Sequence, residues 1–177
     1  MKKGTDQVRE FLAFKLGGEE YGIDILKVQE IRGYEAATRM LNAPRSVLGV
    51  RNLRGAIVPI MDLRIHLGMP GVAYDSHTVT IVLNIGERIV GIVVDGVSDV
   101  VALQDAQIKP APEFTASLST RDVIGLATIE QGDRQRMLIL LDSAQVVASI
   151  WRGNDFVAEM TSVSGEQSTG IEQQRHW

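Results

Sequence analysis

Apolar positions alternate from Val8 to Leu16, with Leu12, Phe14 and Leu16 on one face and Phe11, Ala13 and Lys15 on the other. A period of two predicts a strand. Gly17-Gly18-Glu19-Glu20 then reads as a turn, and a return strand starts at Tyr21. Residues 26–29 fit either a helical turn or a strand. Pro44 opens a short segment, Arg45 to Gly49, that reads as a helical turn. Asn52-Leu53-Arg54-Gly55 predicts a turn, with Ala56 to Met61 the strand beyond it. Pro59 inside that strand cannot donate to a ladder, which predicts an edge strand or a bulge. Asp62 is placed to cap a short helix over 63–67. Two further hairpins are predicted, one around Gly86-Glu87-Arg88 and one around Gln131-Gly132-Asp133. After Asp142 the period becomes helical, with Ala144, Val147, Ala148 and Trp151 on one face.

The pattern occurs twice. Moving residues 16–31 along by 69 positions brings Gly17 onto Gly86, Gly22 onto Gly91, Ile23 onto Ile92, Val28 onto Val97 and Ile31 onto Val100, without a gap. A second echo sets Leu48-Gly49-Val50 and the strand ending at Asp62 against Ile124-Gly125-Leu126 and the strand ending at Asp142. Its offset is 76 at the glycines and 80 at the aspartates, so the later loop is longer. Many short strands with glycine turns predict small barrels or a sandwich, and the echo predicts two similar units.

Composition narrows the function. At 177 residues the chain is long enough to bury a sizeable core. The net charge of -4 points neither to nucleic acid nor to an acidic tail. With no cysteine there is no disulfide framework and no thiolate site. Lys2 and Lys3 are followed by polar residues, and the apolar runs are far shorter than the ~20 residues of a membrane helix. These features predict a soluble cytoplasmic protein. From about Thr161 the chain is Ser, Gly, Gln, Glu and Thr, which predicts a disordered tail over 161–177.

The search for catalytic chemistry finds little. His66, His77 and His176 share no metal-ligand spacing, and His66 reads as a surface residue. There is no phosphate-cradling glycine motif and no nucleophile elbow. Asp62, Asp95, Asp99 and Asp142 could include an acid–base pair, but their places at strand ends favour caps and turns. Between Arg32 and Arg64 six arginines face only two acidic residues, Glu35 and Asp62. A nucleic-acid-binding small barrel is therefore an alternative, although Tyr34 is the one aromatic in that window available for base stacking. The plainer reading is a set of solvated or partner-facing arginines. Arg54 stands out because its planar guanidinium sits on a turn between apolar segments, with Glu30 a candidate partner. Val28, Ile31, Val79 and Val100 either line an apolar groove for a helix or belong to the core.

Phe11-Leu12-Ala13-Phe14, the run from Glu20 to Arg32, Gly49-Val50-Arg51-Asn52-Leu53-Arg54-Gly55 with Ala56 to Arg64, and Val90 to Val100 together resemble the CheW family of chemotaxis coupling proteins over about residues 10–150. The resemblance implies a mainly β fold: two five-stranded SH3-like barrels packed together, with short helices and a C-terminal helix. It implies one domain over 8–160, with subdomains at about 16–70 and 78–142. It implies a non-catalytic adaptor without cofactors, joining the cytoplasmic tips of methyl-accepting chemotaxis receptors to the regulatory domain of the chemotaxis histidine kinase. Such a protein is cytoplasmic and recruited to membrane-associated receptor arrays. Receptor-facing positions fall on Val28, Glu30, Arg54, Val79 and Val100, and a kinase contact on Gly49.

Overall fold

A computed structural model describes residues 7–112 and 121–152. The tail expected to be disordered, 161–177, lies outside the described residues. The chain forms β1 (Val8–Leu16), β2 (Glu19–Asp24), a 3-10 turn (Ile25–Lys27), β3 (Val28–Gly33), β4 (Val47–Leu53), β5 (Ala56–Asp62) and α1 (Leu63–His66). There follow β6 (Val79–Ile85), β7 (Arg88–Val94), β8 (Gly96–Gln104), β9 (Ile108–Lys109), β10 (Val123–Gln131), β11 (Arg134–Leu141) and α2 (Ser143–Arg152). The ambiguous stretch after Asp24 is thus a 3-10 turn followed by a strand. The helical turn expected at 45–49 is cut to a single turn over Arg45 and Ser46, closed by the Val47 N–H on the Pro44 carbonyl at 3.0 Å, because Val47 already opens β4.

The strands make two sheets, as the resemblance implies. One has five strands in the order β3-β6-β7-β5-β4, and the other has six in the order β8-β1-β2-β11-β10-β9. The sixth is the two-residue β9 on the edge. Under the repeat, β6, β7, β3, β5 and β4 correspond to β1, β2, β8, β11 and β10, so the two orders superpose strand for strand.

The expected division at 16–70 and 78–142 does not follow the sheets. β3 continues from β2 in sequence yet pairs with β6 in the other sheet, from Val28 opposite Leu83 to Gly33 opposite Val79. β8 continues from β7 yet pairs with β1, including Leu12 opposite Val100. The five-stranded sheet is one continuous stretch, β3 to β7, inserted between β1–β2 and β8–β11, which together make the other sheet, so each sheet takes two strands from the other half of the chain. A period-two pattern specifies which face a strand buries, not which sheet receives it.

Of the two alternatives for Pro59, an edge strand is excluded, since β5 lies between β4 and β7, and the bulge of the β4–β5 pair falls on β4 at Leu48, opposite Ile60 and Met61. The neighbour of Pro59 across β4 is Val50, whose N–H and C=O both bond Thr38 on the far side, at 3.0 and 2.9 Å. Parallel pairing to β7 starts only at Ile60 opposite Gly91. Neither ladder needs an N–H from Pro59.

Among the described residues, three apolar clusters make the core. Leu53, Val58, Ile60, Val82 and Val93 pack within the five-stranded unit. Phe11, Ala13, Leu103, Ala127, Leu138 and Leu140 pack within the six-stranded one. Between the sheets lies a shared core that includes Leu12, Phe14, Leu16, Ile81, Leu83 and Ile92. β1 is therefore buried on both faces, Phe11 and Ala13 inward and Leu12, Phe14 and Leu16 against the seam. Val146, Val147 and Ile150 of α2 close that seam. The Asp142 carboxylate caps the helix by accepting the Gln145 N–H at 3.1 Å.

The repeated glycines now have a reason. Gly22 lies opposite Leu140 and Gly91 opposite Ile60, each at a parallel strand pair. A Cβ on Gly22 would come 3.0 Å from Leu140 Cδ2, and one on Gly91 would come 2.8 Å from Ile60 Cδ1. Gly49 and Gly125 both sit at bulges. A Cβ on Gly49 would collide with the Thr38 carbonyl, and one on Gly125 would lie 2.5 Å from the Lys109 carbonyl oxygen.

Candidate partner-binding site

Arg54 and Gly55 form the two-residue loop of the β4–β5 hairpin, with φ of 55° and 88°. Two positive φ values in a row are the pattern of a type I′ turn, which suits the right-handed twist of a hairpin. Asn52 steadies it, its Oδ1 accepting the Gly55 N–H at 2.9 Å. Arginine is an unfavourable residue for the left-handed region. Here the turn holds its side chain out from the sheet, 71% exposed, where Nη2 donates to Glu30 Oε1 at 3.2 Å. Glu30 is only 19% exposed and also has Arg32 at 3.6 Å. One carboxylate on β3 thus pairs with two arginines, one on its own strand and one on the β4–β5 turn.

Four of the expected receptor positions, Val28, Glu30, Arg54 and Val79, lie on the five-stranded unit, and Glu30 and Arg54 touch. Val28 and Val79 stand at opposite ends of the β3–β6 pair, partly buried against the shared core. Val100 belongs to the other sheet and is 49% exposed. Ile31, its equivalent under the repeat, is 44% exposed beside Glu30. Of the four groove candidates, two are therefore outward and two are half core. Gly49 is buried in its bulge, with the Thr38 backbone against it.

A second arginine–carboxylate group occurs on the six-stranded unit. Under the shift of 69, Glu30 corresponds to Asp99. The Asp99 carboxylate accepts Arg136 Nη1 and Nη2 at 3.1 and 3.0 Å, and Glu20 accepts Arg136 Nε and Nη2 at 3.0 and 2.7 Å. These bonds, to Asp99 and then to Glu20, raise the Arg136 pKa further. Val100 and Met137, the neighbours of Asp99 and Arg136, are exposed. Arg136 was not singled out from the sequence, although the repeat carried the signal in Asp99.

The arginine cluster is not a continuous basic patch. Arg32 and Arg54 pair with Glu30, and Arg51 pairs with Glu35. Arg64, expected among the solvated or partner-facing arginines, is 3% exposed. Its Nε and Nη2 bond Asp62 at 3.0 and 2.9 Å, and its Nη1 bonds Asp95 at 2.9 Å and the Ala73 carbonyl at 2.8 Å. Burial alone would lower its pKa, but the bonds to Asp62 and Asp95 raise it. Tyr74 donates to Asp62 at 2.6 Å and stacks on Tyr34. Burial and that bond push the Tyr74 hydroxyl pKa up. The aspartates are thus engaged as caps and ion-pair partners: Asp62 also accepts the Arg64 N–H at the start of α1. Among the described residues no group of three or more His, Cys, Asp or Glu could hold a metal ion, and no helix is long and apolar enough to cross a membrane.

The family model described as "CheW-like domain" matches residues 10–150. The chain belongs to the CheW family. It is 57% identical over 141 residues to the chemotaxis protein CheW of Klebsiella aerogenes, covering 80% of this chain and 82% of that one. It is 40% identical over 139 residues to the chemotaxis protein CheW of Rhizobium meliloti, covering 78% and 88%. The crystal structure of the scaffolding protein TtCheW from Thermoanaerobacter tengcongensis is similar with a TM-score of 0.68 at 28% identity, over 77% of this chain and 85% of that one. The matched region of this CheW-family chain contains both sheets and both arginine–carboxylate groups, and the family is one of adaptors and scaffolds.

Proposed function

We propose that this chain is a non-catalytic cytoplasmic adaptor that couples methyl-accepting chemotaxis receptors to the chemotaxis histidine kinase. The observation that carries the reading is Arg54, an exposed arginine at positive φ, anchored by Glu30 within a CheW-like domain. Backbone strain that the fold tolerates on an exposed turn is most readily understood through a contact that the side chain makes. The receptor-facing surface is assigned to Val28, Glu30, Arg54, Val79 and Val100. A receptor tip is a helical hairpin, and outward apolar residues beside an ion pair suit one face of a helix. Gly49 is assigned to the kinase-facing region, where its contribution is the shape of the bulged backbone.

Co-sedimentation with receptor tips and kinase tests the reading, with autophosphorylation as the readout. Activity should rise only when all three components are present. A rise without this chain, or none with it, would remove the assignment.

A further inference from the structure

One residue, Asp95, lies between the end of β7 at Val94 and the start of β8 at Gly96, where the chain crosses from one sheet to the other. Its N–H donates to the Lys15 carbonyl at 3.0 Å, and its Oδ2 accepts the Gly17 N–H at 2.7 Å. Both partners belong to the β1–β2 hairpin of the six-stranded sheet. Its Oδ1 accepts Arg64 Nη1 at 2.9 Å, and Arg64 belongs to α1, which follows the five-stranded sheet directly. The Asp95 side chain therefore bonds elements of both units.

The two ends of this connection differ in how firmly they are held. Asp62 is fully buried and Arg64 nearly so, and Arg64 keeps both Asp62 oxygens and the Ala73 carbonyl whether or not Asp95 is engaged. The Asp95 side chain is 38% exposed. It borders a cavity of about 260 Å³ lined by Gly17, Arg64, Met69 and Asp75 among others. If the carboxylate swings out, it meets water, and Arg64 retains a paired charge, so no buried ion is orphaned. The opposite crossover has no counterpart to Asp95. Its equivalent residue is Leu26, 85% exposed on the 3-10 turn, with Asp24 capping that turn locally at 2.9 Å.

We propose that Asp95 is a releasable clamp between the two units, and that receptor control of the kinase passes through its opening. Asp95 is a positioning residue here: it acts on the relative setting of two sheets and touches neither partner. This rests on the adaptor reading above.

The test compares the full wild-type chain with Asp95→Asn and Asp95→Glu. Asparagine keeps an oxygen but loses the charge on Arg64, and glutamate restores the charge, with the adjoining cavity to take its extra methylene. Asp95→Asn should bind receptor tips and kinase separately as well as wild type does. The receptor-dependent change in autophosphorylation should fall by about fivefold or more, within the usual span of allosteric coupling. Asp95→Glu should recover most of it. An independent measurement uses wild type alone: the Gly17 amide, held by Asp95, should exchange with solvent about fivefold faster or more in the receptor complex than in the free chain.

Undiminished control by Asp95→Asn would overturn the proposal. So would a parallel loss of separate binding, failure of the glutamate to rescue, or unchanged Gly17 protection. A wild-type chain that does not couple at all would remove the adaptor reading itself. Intact wild-type coupling beside an unaffected Asp95→Asn would remove the clamp alone.

Discussion

Arg54 occupies a conformation that costs an L-residue roughly 1–2 kcal/mol relative to glycine, while its exposed bond to Glu30 contributes only about 0–1 kcal/mol. Arg54→Gly should therefore unfold at or above the wild-type temperature, and Arg54→Ala slightly below it. Both should lose receptor binding alike, as measured by pull-down beside thermal melts. Binding that tracks stability across the pair would sink the assignment. His66 offers a second test. Burial lowers its pKa below the ordinary 6.5, with Asp122 opposing the shift. Between that lowered value and 6.5 the unfolded chain binds more protons than the folded one, so stability falls as pH drops through this window. Urea midpoints from about pH 7.5 to about pH 5.5 should decline in wild type and decline less in His66→Gln. At this scale the sequence was uneven evidence. The Asn-Leu-Arg-Gly turn was legible because local chemistry determines it. The burial of Arg64 was not, because Asp95, its second carboxylate, lies 31 positions away.

The repeat's glycines rank themselves by what blocks a methyl group. At Gly49 the obstacle is the Thr38 backbone, and φ is +143°. At Gly125 it is the Lys109 carbonyl, at Gly91 the ends of Ile60 and Thr80, and at Gly22 the flexible end of Leu140. Alanine substitutions should destabilise in the order Gly49, Gly125, Gly91, Gly22, the last by about 1 kcal/mol and the first by 3 kcal/mol or more. Chemical denaturation would read the order directly, and Gly22→Ala proving the worst would contradict the packing described. Kinase binding by a Gly49 variant therefore has to be judged against its stability. The strands themselves were readable from alternation and turn residues. The bulges were not, since a bulge shows only when the partner strand is in place.

For the whole molecule, the insertion of one sheet's segment within the other's governs what can fold alone. Residues 1–70 contain β1 and β2 of one sheet together with β3, β4 and β5 of the other, and residues 71–177 hold the complementary strands. Expressed separately, these fragments should be largely unfolded by circular dichroism, because each lacks the neighbours of β3 or β8. Mixed together, they should recover β-sheet signal and a cooperative melt. A stably folded fragment on its own would refute the assignment of sheets. The twofold pattern was visible in the sequence. Membership of the sheets was not, because it depends on the path of two short crossovers, and periodicity says nothing about direction across a gap.

A lone repeat of this design could not complete itself, since its first two strands and its last three belong to different sheets. Two separate copies would have to pair the first two strands of each with the last three of the other, and their partnership would dissolve on dilution. Tethering both in one polypeptide replaces that dependence with a fixed local concentration. Once that pairing no longer requires identical partners, the two hinges are free to differ, and in this chain one carries Asp95 and the other Leu26.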